Sequence, residues 1–101
     1  MRRSAKVDSN QAEIVQALEA VGASVRSLAA VGQGFPDLAC GFRGKTYILE
    51  IKRPKAKGQR EGTLTPDQKR FFSEWRGQAA IVQTADEALR VIGAVKIVEG
   101  E

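Results

Sequence analysis

The chain has 101 residues, 43% hydrophobic and 28% charged, the composition of an ordinary globular domain with room for one modest core. A single cysteine excludes an internal disulfide framework and suits a reducing cytoplasm, and no apolar run approaches the roughly 20 residues a membrane helix needs. Histidine is absent, which excludes His-based serine or cysteine triads, His-ligated zinc and His-Asn-His sites, while a net charge of +4 favours a polyanionic partner.

Residues 1–7 are basic without a following apolar stretch and read as a short flexible arm, not a signal peptide. Asp8-Ser9 offers an N-cap to a helix that runs to Val21, where Gly22 suits the position just past the end. Ile14, Leu18 and Val21 recur at helical spacing and form its expected buried stripe, with Val15 at one edge. A strand is expected over 23–30, then a loop over 31–36 whose Gly32 and Gly34 allow close backbone approach to a ligand.

Two apolar runs, 37–42 and 45–52, flank Arg43-Gly44 and predict a tight hairpin. Cys40, inside the first run, reads as a small core residue. Residues 53–64 form a polar, basic connection that is too long for a tight turn. Thr65-Pro66 starts a helix expected to reach Arg76 and stop at Gly77, and Phe71, Phe72 and Trp75 share one of its faces, the pattern of core packing. A short strand follows over 78–83, Thr84 caps a last helix over 85–92, and 93–101 is a tail. The order α-β-β-β-α-β-α predicts a single α/β domain over 1–101, a mixed central sheet flanked by helices.

Folding the hairpin returns Asp37 to the side of Glu50, and Glu50 and Lys52, two apart on a strand, share one face. Two carboxylates suit a hard divalent cation, and the carbonyl of Ile51 can add one oxygen. A cation so held activates water and neutralises charge on a phosphate, while Lys52 is a compact charge for the water or the phosphate oxygen. The chemistry this predicts is metal-assisted phosphodiester hydrolysis. Mg²⁺ and Mn²⁺ both suit oxygen donors. The bland alternative is a turn aspartate and a solvated ion pair. Against it stands the charge nearby: between Arg43 and Arg60 lie Arg43, Lys45, Lys52, Arg53, Lys55, Lys57 and Arg60 with Glu50 as the one acid. Arg43, Arg53, Lys55, Lys57 and Arg60 are the expected DNA-phosphate contacts.

The stretches Gly34-Phe35-Pro36-Asp37-Leu38, Leu49-Glu50-Ile51-Lys52 and Leu64-Thr65-Pro66-Asp67-Gln68 resemble the PD-(D/E)XK nuclease fold (restriction-endonuclease-like), and within it the compact VRR-NUC family. The resemblance runs from about residue 8 to residue 92 and is made more specific by the Thr-Pro-x-Gln element. It implies that Asp37, Glu50 and the Ile51 carbonyl are metal ligands, that Lys52 is the catalytic lysine, and that Gln68 reaches the site from the second helix. The family also carries an acid early in the first helix. Here Asp8 and Glu13 qualify by type, although Asp8 serves equally as an N-cap, and Gln11 lies closer to the buried stripe than Glu13.

The resemblance implies a Mg²⁺- or Mn²⁺-dependent endonuclease acting on branched DNA, a Holliday junction or a flap, in replication, recombination or repair, and working as a homodimer. One alternative is a non-catalytic, structure-specific DNA-binding module. Another is a nuclease subunit active only inside a phage or bacterial replication complex.

Overall fold

The computed structural model describes residues 9–54 and 63–94. The expected basic arm, Asp8, Lys55, Lys57, Arg60 and positions 95–101 of the expected tail lie outside the described residues. Helix α1 spans Ser9–Ala20 and ends in paired reverse bonds: Gly22 N–H donates to Glu19 O at 3.0 Å and Ala23 N–H to Leu18 O at 3.1 Å. Gly22 stands at φ 95, so a glycine just past the helix end is what lets the chain leave in this way. The consequence corrects one expectation. Val21 belongs to this turn and is 40% exposed, so the buried stripe of α1 is Ile14 and Leu18 alone.

Strand β1, Ser24–Ser27, is shorter than expected. Leu28 N–H donates to Asp37 O at 2.8 Å, in register with the β1–β2 pairs, and the chain turns there, Val31 N–H donating back to Leu28 O at 2.9 Å. Strands β2 (Leu38–Phe42) and β3 (Lys45–Ile51) form the predicted hairpin. Phe42 pairs with Lys45 across Arg43 (φ 53) and Gly44 (φ 81), a two-residue turn with both central residues left-handed. Helix α2 spans Pro66–Glu74, β4 Ala79–Val82 and α3 Ala85–Val91. The order is the predicted α-β-β-β-α-β-α.

The sheet runs β1-β2-β3-β4, antiparallel throughout except for the parallel β3–β4 pair. That crossover carries α2. One face of the sheet presents Leu38, Cys40, Leu49, Ile51 and Val82, which pack against Ile14 and Leu18 of α1 and Ala88 of α3. Cys40 is buried within this cluster, and burial pushes its thiol pKa up, as expected of an inert core cysteine. By strand alternation Glu50 projects from the opposite face, where α2 begins.

Helix α2 departs from the expected pattern. It buries none of its residues, Phe71 and Phe72 are half-buried, and Trp75 is 40% exposed. Together with Phe35 these rings form a surface cluster, so the reading of Phe71, Phe72 and Trp75 as core packing is corrected. The core of this small sheet is already filled by α1 and α3, which leaves α2 to pack ring against ring.

Candidate active site

The hairpin register sets the site. Leu38 pairs with Leu49, so Asp37 lies one step beyond, across from Glu50. Asp37 Oδ2 accepts from Ile51 N–H at 2.7 Å, which ties the start of β2 to the end of β3. Glu50 is only 2% exposed, the one buried charged residue among the described residues. Lys52 Nζ lies 3.3 Å from Glu50 Oε2. Asp37, Glu50 and Lys52 are thus brought together as their spacing implied.

Gln68 joins them, and the geometry explains how one residue serves two purposes. Thr65 caps α2 through its hydroxyl, which accepts from Gln68 N–H at 3.2 Å. Gln68 Oε1 accepts in return from Thr65 N–H at 2.9 Å and also from Lys52 Nζ at 2.9 Å. Its Nε2 donates to Glu50 Oε2 at 3.0 Å. The capping box that starts the helix therefore also holds the lysine and the glutamate in place. Gly34 brings the preceding loop onto α2 so closely that a Cβ there would stand 2.6 Å from the Asp67 backbone, at φ 78. Gly34→Ala is expected to lower stability by about 1–3 kcal/mol, through left-handed strain and displacement of α2, measured as a fall in denaturation midpoint. An unchanged midpoint would show that this contact does not hold α2 down.

The electrostatics are unbalanced. Two carboxylates face one ammonium, and Glu50 Oε1 is buried with no hydrogen-bond donor. Burial first, and then the Asp37 charge, raise the Glu50 pKa from 4.5 to about 7, against a smaller lowering by Lys52. An acceptor with no donor beside a second carboxylate is a site short of positive charge, and a divalent cation fits it. Among the described residues no group of three or more Asp, Glu, Cys or His side chains converges. Two carboxylates with one backbone carbonyl are the donor set of an ion that keeps most of its waters, as Mg²⁺ does.

The remaining expected residues are distributed unevenly. Arg53, next to Lys52, is exposed at the end of β3. Arg43 sits at the hairpin tip with its guanidinium 4.9 Å from the Phe42 ring centroid. Gly44 and five residues of β3 separate it from Glu50, roughly 17 Å along the strand at 3.3 Å per residue, so the structure does not bring it to the site. Glu13 is exposed and Gln11 half-buried. The α1 side chain that reaches the strand ends is Asn10, which the sequence reading passed over. Its Nδ2 donates to Lys52 O at 3.2 Å and Gln83 O at 2.8 Å, joining the ends of β3 and β4, and its Oδ1 is buried without a partner. A signal was present: Asn10 lies one turn before Ile14, so it extends the buried stripe with a polar residue. Lys69 also went unread. It lines a cleft of about 550 Å³ together with Lys52, Leu64, Ile81 and Gln83.

No protein-family model and no curated protein matches this sequence. A solved structure described as a VRR_NUC domain is similar, with a TM-score of 0.59 and 23% identity, covering 84% of this chain and 96% of that one. The chain has the fold of a VRR_NUC domain: a four-stranded mixed sheet with flanking helices in the order described above. The fold that the short motifs implied is therefore the observed one.

Proposed function

We propose that this chain is a divalent-metal-dependent nuclease of the PD-(D/E)XK type, which hydrolyses phosphodiester bonds in DNA. The observation that carries the proposal is the buried Glu50 beside the half-buried Asp37, with Glu50 Oε1 lacking any donor and Lys52 Nζ 3.3 Å from Oε2. Asp37, Glu50 and the Ile51 carbonyl would hold Mg²⁺ or Mn²⁺, which supplies an activated water and neutralises charge on the phosphate.

The chain's own groups do the rest. Lys52 is held by Gln68 Oε1 and Glu50 Oε2, so its ammonium is fixed before substrate arrives. From that position it orients the attacking water or steadies the phosphate oxygen. Gln68 restrains both partners at once and makes α2 part of the site. Arg53 beside the site and Lys69 on the adjoining cleft are suited to hold the phosphates on either side of the cut, with Lys55, Lys57 and Arg60 as further candidates. Arg43, at the far end of the hairpin, suits only a duplex long enough to reach it.

Basic groups beside the site suit contacts to the DNA backbone and its shape, so branched DNA, a junction or a flap, is the proposed substrate, cut by a homodimer in replication, recombination or repair. Labelled four-way junction, flap and plain duplex are incubated with Mn²⁺ or Mg²⁺, against EDTA and Lys52→Ala controls. Cutting of the branched forms that vanishes in both controls is expected, and paired symmetric cuts on the junction would indicate the dimer. Binding without cutting would instead favour the non-catalytic module.

A further inference from the structure

The face of α2 that begins at Gln68 continues through Phe71, Phe72 and Trp75, spaced i, i+3, i+4 and i+7 along one side. This aromatic run leads away from the candidate site toward solvent. Phe35, two residues before Asp37, closes against it, with ring centroids 5.0 Å from Phe71 and 5.7 Å from Trp75. Alongside opens a cleft of about 400 Å³, lined by Gln33, Asp67, Arg70, Phe71 and Glu74.

The cleft's chemistry is mixed in a particular way. Arg70 offers donors, Asp67 and Glu74 offer acceptors, and the Gln33 amide offers both. Two carboxylates against one guanidinium repel a phosphate. A nucleobase is neutral, carries donors and acceptors on its edge, and has a face to lay against Phe71, one side of which Trp75 already covers with ring centroids 4.8 Å apart. Gln33 is also held at φ 58, between Gly32 at φ 72 and Gly34 at φ 78. A left-handed conformation is unfavourable for a residue with a long side chain, and the flanking glycines let this turn hold Gln33 in it at the rim of the cleft.

We infer that this cleft is a subsite for one unpaired nucleobase beside the cleaved phosphate, stacked on Phe71 and read at its edge by Gln33, Arg70 and Glu74; the inference rests on the nuclease reading above. From Gln68 to Phe71 is three residues, about 4.5 Å along the helix axis, and to Trp75 about 10 Å, the scale of one nucleotide step from the site. A base stacked inside a duplex cannot enter such a cleft, so the subsite selects DNA with an unpaired nucleotide, as in a flap or an opened junction. Structure-specific recognition then lies in α2 and the 31–36 loop.

Binding is measured in EDTA, with DNA carrying a single-stranded arm whose bases are intact or replaced by abasic sites. The emission of Trp75, the chain's one tryptophan, reports occupancy. The intact arm is expected to quench that emission and to bind about tenfold more tightly than the abasic arm, the scale of one stacked base. Gln33→Gly and Arg70→Ala are expected to lose the preference. Gln33→Gly relieves the left-handed strain, so loss of folding does not explain its effect. Equal binding of the two arms would overturn the subsite and leave the nuclease reading intact. Failure to bind or cut any DNA would overturn both. An emission change on concentrating the protein without DNA would assign this face to a second copy of the chain, and that too would overturn the subsite.

Discussion

Glu50→Gln is expected to make the metal-free protein more stable at pH 8 while removing its divalent-cation-dependent cleavage. The wild-type carboxyl has an ordinary pKa of 4.5 and a folded-state value of about 7, raised by burial and by Asp37. Between those values the folded state holds the proton more tightly than the unfolded chain does. Stability is therefore fully present below pH 4.5 and is lost as the pH rises through 7. Above that, the ionised, poorly solvated carboxylate costs on the order of 3 kcal/mol, from about 1.4 kcal/mol per pH unit. Glutamine keeps the shape and can still accept from Gln68 Nε2, but carries no charge to desolvate. That figure already counts the attraction to Lys52, and the cost of burying the amide N–H₂ offsets part of the gain. A net rise in midpoint of about 5–10 °C at pH 8 is expected for a chain this size. The gain should vanish near pH 4.5, where the wild-type side chain is neutral too. Mn²⁺ should stabilise the wild type at pH 8 and not the variant. If the two proteins melt together at pH 8 without metal, the site is not short of positive charge and the cation reading fails.

Lys52→Ala should reduce cleavage by about 10²–10³-fold with little loss of DNA binding, because a fixed cation acting on transition-state charge is removed while the ligand carboxylates remain. Asp37→Asn should be at least as damaging, for a different reason. Its amide oxygen can still accept from Ile51 N–H, now 2.7 Å from Asp37 Oδ2, so the strand ends stay tied. What goes is one of the two charges that hold the metal. DNA binding by Asp37→Asn should hold or strengthen, since one negative charge facing the backbone is gone. Single-turnover cleavage together with binding at a fixed salt concentration separates the two effects. Cleavage within a few-fold of wild type for either variant would rule out the proposed roles.

Much of this site was legible because its parts are short-range. Arg43-Gly44 specifies a two-residue turn, the turn fixes the hairpin register, and the register puts Asp37 opposite Glu50. Alternation then puts Lys52 on the same face as Glu50. Thr65-Pro66 starts α2 through its own side-chain bonds, and Gln68 follows three residues on. Other features depend on which surfaces meet, and a linear pattern does not carry that. Arg43 is close in sequence to the basic run but stands at the opposite end of the hairpin, because a strand of seven residues carries its ends apart. Asn10 bonds to carbonyls 42 and 73 residues away. Phe71, Phe72 and Trp75 have the spacing of a core face, yet α1 and α3 already fill the one apolar side of the sheet.

The sequence by itself determined the order of the seven elements, the hairpin turn, the Thr65 and Thr84 caps, and the pairing of Asp37 with Glu50 and Lys52, because each follows from backbone preference or strand period within a few residues. Tertiary structure alone decided that Glu50 is buried with an unsatisfied oxygen, that Asn10 joins two strand ends, and that the aromatic face of α2 packs at the surface on Phe35 of the 31–36 loop. Burial and exposure are set by the sum of all the packed surfaces, and no local stretch of chain contains that sum.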